Sequence, residues 1–201
     1  FYKNYSDNKK SIEVNFLNYE NNEYSAIVVI CNNRSGILKD IVQGLSFSQI
    51  NILGSRVISL NNNDVIDVFW VCNSAQKALK EKNEQNRLVQ NLIASVEGLE
   101  IEVVSDLLNI KSKLEVLPKI TVDNKMSKNV TTYQILSGDR KGLLMDILNI
   151  FHKNHVSVQS AKISTYGEKI FDTFQITDIK NKKIKDANLI KSLEKQLIKI
   201  L

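Results

Sequence analysis

Residues 132–147, TYQILSGDRKGLLMDI, and 160–178, SAKISTYGEKIFDTFQITD, decide the fold. A strand runs into a turn at Asp139, Arg140, Lys141 and Gly142, and an amphipathic helix starts with Leu143 and Leu144. Sliding the sequence back by 106 residues finds the same plan, with NNRSGILKDI (32–41) over DRKGLLMDI and VIDVFWVC (65–72) over IFDTFQIT. The pairs Arg34/Arg140, Gly36/Gly142, Leu38/Leu144, Asp40/Asp146 and Ile41/Ile147 align without a gap. One extra residue in the run Asn61, Asn62, Asn63 then brings Asp67 over Asp172 and Phe69 over Phe174. The identities fall on the turn, one helix face and one strand, as a duplicated structural unit requires.

The duplication extends outward. Alternation of Ile12, Val14 and Phe16 predicts an opening strand from Ser11 to Phe16, matched by LPKITV, where Ile120 and Val122 alternate. Ser25–Cys31 is the near-continuous apolar run of a central strand, matched by Thr131–Leu136. The first helix buries Ile37, Leu38, Ile41, Val42 and Leu45, and its counterpart Leu143, Leu144, Ile147, Leu148 and Phe151. INILGSRVIS and VSVQSAKIST are second strands; VIDVFWVC and KIFDTFQIT are third strands, apolar on both faces for part of their length. A second helix is expected from about Ala75 to Val96 with Gly98 as its stop, and another after an Asp186 cap with Ile190, Leu193, Leu197 and Leu201 as its stripe.

Each unit thus reads strand, strand, helix, strand, strand, helix, and the opening strand must be the fourth of a sheet carrying two helices on one face. It pairs locally, or the copies exchange it; the shorter loop favours local pairing. The expected boundaries are a polar, frayed segment at 1–10, a first unit at 11–98, a linker at 99–117 in which SDLLNIKSKLEVL can add a short helix capped by Ser105, and a second unit at 118–201.

A length of 201 residues suits two such units. No apolar run approaches the ~18 residues of a membrane span and no charged-then-apolar leader is present, so the expectation is a cytoplasmic protein without membrane partners. Cys31 and Cys72 fall late in strands that run antiparallel, which places them apart and argues against a disulfide. The net charge of +5 comes mostly from lysines spread along helices beside many asparagines, not from a nucleic-acid-binding stripe. The chain opens on Phe1 rather than Met, and the expectation is a piece of something longer.

These residues carry a resemblance. The arrangement resembles tandem ACT domains, and ITVDN, DRKGLLMDI and SAKISTYGEKIFDTFQITD look like the last ACT module of the bifunctional PII uridylyltransferase/uridylyl-removing enzymes. NNRSGILKDI and VIDVFWVC look like the module before it. The resemblance implies an α+β fold of two tandem ferredoxin-like ACT domains, each a four-stranded antiparallel sheet with two helices on one face. It implies that the chain is the glutamine-sensing regulatory region of an enzyme that attaches UMP to the PII signalling protein and removes it, with Mg and UTP serving the parent's catalytic part. The chain itself shows no HD pair and no Gly-Ser turn followed by paired aspartates, so no catalytic residue is expected in it. The family turn reads Asp, Arg, Pro, Gly; here Ser35 and Lys141 stand at the Pro position, and Asn33 replaces Asp in the first copy.

A free amino acid needs acceptors for its ammonium and donors for its carboxylate, and the turn offers both. The candidate ligand residues are Asn33, Arg34, Gly36, Ile37 and Leu38 with Asn51 and Ile52 in the first copy. In the second they are Asp139, Arg140, Gly142, Leu143 and Leu144 with Ser157 and Val158. Asn33 and Asn51 match the polar pair by which the ACT module of 3-phosphoglycerate dehydrogenase binds an amino acid between two modules. Weighed against this, Asn or Asp before a helix is commonly a cap and Gly a turn residue. Arg34 and Arg140 suit a place in solvent beside a neighbouring acid better than a ligand carboxylate, and Asp67 and Asp172 a structural or interface role better than catalysis.

His152 and His155 are three apart on a helix but lack a third ligand, so no metal is expected. Third-strand aromatics such as Phe69, Trp70, Phe171 and Phe174 raise an RNA-binding reading, which fails for want of the basic-Gly-aromatic signature. The alternatives are a stand-alone ACT-repeat protein that binds an amino acid, or a pure dimerisation module acting as a homodimer.

Overall fold

The computed structural model describes residues 2–8, 11–18, 23–60, 62–99 and 116–201. The chain forms two compact units, Phe1–Ser105 and Asp106–Leu201. The first runs α1 (Tyr2–Asn8), β1 (Ile12–Asn18), β2 (Ser25–Asn32), α2 (Ile37–Phe47), β3 (Asn51–Ser59), β4 (Asp64–Cys72) and α3 (Lys82–Glu97). The second runs β5 (Lys119–Asp123), β6 (Thr131–Gly138), α4 (Leu143–Lys153), β7 (Val156–Tyr166), β8 (Lys169–Asp178) and α5 (Ala187–Ile198).

All pairings within each unit are antiparallel. In the first, β2 lies between β1 and β4, and β3 flanks β4. In the second, β6 lies between β5 and β8, and β7 flanks β8. This is the ferredoxin-like strand order with the fourth strand supplied from the N-terminal side. The opening strands pair locally, Ile12 with Cys31 and Lys119 with Leu136, so neither is exchanged. Both β3 and β7 bulge at the same place, between Ile52 and Gly54 and between Val158 and Ser160.

Alternation along β2 and β4 separates two cores. Ile27, Val29, Cys31, Val65, Asp67 and Phe69 share one face and are almost wholly buried beneath α2 and α3, with Ile41, Leu45, Leu88 and Leu92. In the second unit Tyr133, Phe151 and Phe174 stack edge to face, with ring centroids 6.1 and 5.4 Å apart. The opposite face of the first sheet is covered as well. Val28 and Ile30 bury Tyr5 of α1, with Tyr2, Leu17, Ile66 and Val68 packed around them. Here the structure corrects the expectation of a frayed start: a strand apolar on both faces needs a second cover, and two tyrosines three apart on a short helix provide it.

The second helix of the first unit also starts later than its sequence suggests, at Lys82 instead of Ala75. The Asn73 side chain accepts from the Ala75 and Lys77 amides, at 3.1 and 3.0 Å, and the Leu79 amide donates to Ser25 Oγ at 2.8 Å. These bonds hold the segment as a loop that plugs Leu79 into the core. The stops and caps agree with the sequence reading. Gly98 closes α3 with φ +72°, and Asp186 Oδ1 accepts from the Asn188 and Leu189 amides at the start of α5. Cys31 and Cys72 are free, buried, and at opposite ends of their sheet. The expected linker helix falls outside the described residues.

Gly44 marks where the two copies differ in packing. A Cβ built there would lie 3.0 Å from Leu92 Cα and 3.1 Å from Asn91 O, so α2 and α3 meet backbone to backbone at this point. The repeat places Ile150 at the corresponding position of α4. Gly44→Val is expected to destabilise the first unit by about 1–3 kcal/mol through overpacking, read as a lowered urea midpoint.

The cores also hold two carboxyl groups. Asp67 on β4 is completely buried and neither oxygen has a hydrogen-bond partner among the described residues; burial pushes its carboxyl up to about 8, against a lowering by the nearby Ile58 N–H. Its counterpart Asp172 accepts from the Ser164 N–H at 3.1 Å and is pushed up to about 7, by burial first and by the charge of Asp139 in addition. A carboxyl raised in the folded state binds a proton that the unfolded chain releases near its ordinary value of 3.8. Stability is therefore fully present below pH ~4 and is lost progressively as pH rises towards ~8. Asp67→Asn is expected to flatten that decline, so that the variant gains on the wild type by on the order of a few kcal/mol between pH 5 and pH 8. Chemical denaturation across that range measures the slope, and equal slopes would show that Asp67 is not protonated in the folded state.

The candidate functional site: two glycine turns

Each candidate turn joins a central strand to the helix behind it. Gly36 and Gly142 are the helix N-caps, with φ of +83° and +80°, a left-handed conformation that a side chain strains. No side chain caps either helix. The Ile37 and Leu143 amides close onto Arg34 O and Arg140 O, both at 3.1 Å, and the Asp40 and Asp146 amides onto Gly36 O and Gly142 O, both at 3.0 Å. The two amides between them in each helix, on Leu38 and Lys39 and on Leu144 and Met145, have no acceptor among the described residues. Unfilled amides at the positive end of a helix favour an anion such as a carboxylate. The side chains of Ile37, Leu38 and Leu143 are buried in the core, so what these residues can offer a ligand is backbone.

The arginines are engaged inside each unit, in the same way twice. Arg34 Nη1 lies 2.6 Å from Asp40 Oδ2, and its Nη2 donates to Val96 O at 2.6 Å. Arg140 Nη2 lies 2.6 Å from Asp146 Oδ2 and donates to Ile200 O at 3.1 Å. In both copies the guanidinium thus ties the turn to the first helix and to the carbonyl end of the second helix, where a cation is favoured. The sequence announced the neighbouring acid but not the second helix end, and Arg140, 17% exposed, does not lie in solvent as expected. Its signal was present in the retained pairs Arg34/Arg140 and Asp40/Asp146.

The residue at the head of the turn differs between copies. The Asp139 carboxylate is half-buried and raised above its ordinary range by burial, an effect the Arg140 N–H pulls back, and it has no cationic partner among the described residues. The Asn33 amide nitrogen donates to Ser59 Oγ at 3.4 Å. Both backbone amides are fixed by the facing hairpin, Asn33 N to Asn63 O and Asp139 N to Glu168 O, each at 2.7 Å. Asn63 adds donations from Nδ2 to Asn32 Oδ1 and Asn33 O, both at 3.1 Å. This hairpin was not among the residues singled out from sequence, although the Asn run was visible.

The remaining candidates lie elsewhere. Asn51 pairs with Cys72, and its Nδ2 donates to Asn73 O at 3.3 Å; Ile52 pairs with Val71. Ser157 pairs with Thr177 and accepts from Gln159 Nε2 at 3.3 Å; Val158 pairs with Ile176. These strand starts follow the far ends of α2 and α4, each of 11 residues and hence about 16 Å long. Within one unit, Asn33 and Asn51 therefore sit at opposite ends of the sheet, as do Asp139 and Ser157, and neither pair converges.

Residues 119–201 match the family model described as "ACR9-like, ACT-like domain". The chain is 25% identical over 182 residues to the bifunctional uridylyltransferase/uridylyl-removing enzyme of Azospirillum brasilense, covering 87% of this chain and 20% of that enzyme. It is 28% identical over 178 residues to that of Novosphingobium aromaticivorans, covering 86% and 19%. Among solved structures, aspartate kinase from Synechocystis overlays with a TM-score of 0.47 at 14% identity, covering 88% of this chain and 27% of that one. The chain spans about a fifth of the length of the curated relatives it matches. The chain is thus ACT-like over residues 119–201 and, over 86–87% of its length, similar to a part of the bifunctional uridylyltransferase/uridylyl-removing enzymes.

Proposed function

We propose that this chain is an amino-acid sensor, with L-glutamine as its ligand, acting as the regulatory region of a PII uridylyltransferase/uridylyl-removing enzyme. The observation that carries the reading is the second glycine turn. There an unpaired, half-buried carboxylate at Asp139 stands at the head of a helix whose Leu144 and Met145 amides are unfilled. A zwitterion has the matching charges: its ammonium relieves the desolvated carboxylate, and its carboxylate meets the amides. The first turn offers the same amides with a neutral Asn33, and so binds more weakly or with another selectivity.

Coupling follows from linkage: a ligand that favours one arrangement of the region biases attachment of UMP to PII against its removal. Mg and UTP belong to the catalytic part of such a parent, and no residue of this chain is assigned to them. The setting is the cytoplasm, and no helix among the described residues is long and apolar enough to cross a membrane.

Titration calorimetry of the chain with L-glutamine, against L-glutamate, L-serine and L-asparagine, tests the reading. Saturable, glutamine-selective heat is expected, weakened at least about tenfold in Asp139→Ala and in Gly142→Val through loss of a charge-assisted contact and of the turn conformation. Space around Gly142 is open, so the valine strains only the backbone, and circular dichroism should show both variants folded. Binding that is unchanged in both variants would remove the site from this turn. No heat with any amino acid would leave the dimerisation module as the better description.

A further inference from the structure

We propose that α1 is a regulatory strap for the first glycine turn: its seating on the sheet and the state of the Asn33–Gly36 turn are coupled through the hairpin between β3 and β4. The inference rests on the sensing reading for its ligand, but the coupling itself is a property of the first unit and can be measured without ligand.

The strap is fastened at one carboxylate. Tyr2 Oη donates to Asp64 Oδ2 at 2.7 Å and Tyr5 Oη to Asp64 Oδ1 at 3.4 Å. Asn62 Nδ2 donates to the same Asp64 Oδ2 at 2.9 Å and also meets the Tyr2 hydroxyl. Asp64 is only 9% exposed, and Tyr5 beside it is 8% exposed against Val28 and Ile30. Between Asn62 and Asp64 stands Asn63, in a left-handed conformation at φ +66°, which makes three bonds to residues 32 and 33. Three consecutive residues therefore alternate between two tasks: 62 and 64 hold α1, and 63 holds the turn. Asp64 also pairs in register with Asn32, the residue before the turn.

Seven residues are too few for a helix to persist alone in water, so α1 is helical while it is docked and unravels when it is not. That gives a two-state element at small energetic cost, as coupling between sites requires. A ligand that draws Asn33 away from Asn63 loosens the hairpin and so the seat of Asp64, and release of α1 acts back on the turn by the same factor. The second copy lacks the fastening. Its hairpin is one residue shorter, Lys169 stands where Asp64 stands, and Phe171 on the corresponding face is 48% exposed.

Amide hydrogen exchange on the whole chain, resolved by residue, reads both ends of the coupling. Asn63→Gly keeps the left-handed backbone, touches no residue of α1, and removes only the side-chain bonds to the turn. Exchange at Tyr2–Asn8 is expected to rise roughly fivefold in it, the size of about one lost hydrogen bond, while the β2 core amides keep their protection. Conversely, Tyr2→Phe with Tyr5→Phe keeps the packing, drops the two hydroxyls, and is expected to raise exchange at the Asn33 amide by a similar factor. Wild-type exchange at α1 in Asn63→Gly, or at Asn33 in the double variant, overturns the proposal. Saturating L-glutamine is expected to shift α1 exchange in the wild-type chain. If calorimetry shows binding and α1 does not respond, the strap fails while the sensor stands; if no amino acid binds, the sensing reading fails and the two variants still decide the coupling.

Discussion

The structure depends on a backbone constraint used twice: a left-handed glycine where the central strand turns into its helix. At φ +83° and +80° Gly36 and Gly142 reverse the chain so abruptly that no side chain reaches the helix end to cap it. The consequence is structural and chemical at once. The helix is set across the sheet so that Ile41 and Leu45, or Ile147 and Phe151, enter the core, and two amides stay unfilled beside a polar residue. Because the turn has no cap of its own, it is held from outside, by the arginine that reaches the end of the second helix and by the carbonyl of the facing hairpin. A Pro at the residue before the glycine would fix the backbone in advance; Ser35 and Lys141 do not, which makes these outside ties more important.

Most of the fold was legible because period, turn and repeat agree. Alternation gave the strands, the i, i+3, i+4 spacing gave α2, α4 and α5, and one copy checked the other. What escaped was decided by single polar contacts that carry no period. Asn73 looks like any helix-start asparagine until its side chain is seen to take two amides and delay α3 to Lys82. FYKNYSDNKK reads as a polar tail because its burial rests on two tyrosines, whose hydroxyls need a partner 59 and 62 residues away. The apolar character of Val28, Ile30, Ile66 and Val68 did announce a covered face, but not what covers it.

The candidate turns were found from sequence, and their inner geometry was not. The resemblance matched Asn33 with Asn51 and Asp139 with Ser157 as polar pairs of a site between two modules, and the strand order sets each pair at opposite ends of its own sheet. Spacing along a chain cannot reveal this, because a helix of 11 residues carries the chain the length of the sheet before the next strand begins. Conversely, Arg34 and Asp40 lie six apart, too far for a contact along one helix face, and meet because the turn folds Arg34 back over the helix start.

Duplication preserved the scaffold and let the polar groups on it diverge. Both copies keep a carboxyl group in the core where burial opposes its charge, at Asp67 and Asp172, and both keep the arginine tie. Around that common frame the first copy is neutral at the turn, with Asn33 held by Asn63 and the hairpin carrying the Asp64 fastening for α1. The second carries a carboxylate there: Asp139 raises Asp172, and no cation among the described residues pairs with Asp139. A carboxylate raised by burial and standing near a second buried carboxyl is the more demanding arrangement, and a positive group delivered from outside stabilises it more than it could stabilise Asn33. The same fold thus carries two different polar arrangements, a half-buried carboxylate at the second turn and, at the first, a neutral residue bonded to the hairpin that also fastens α1.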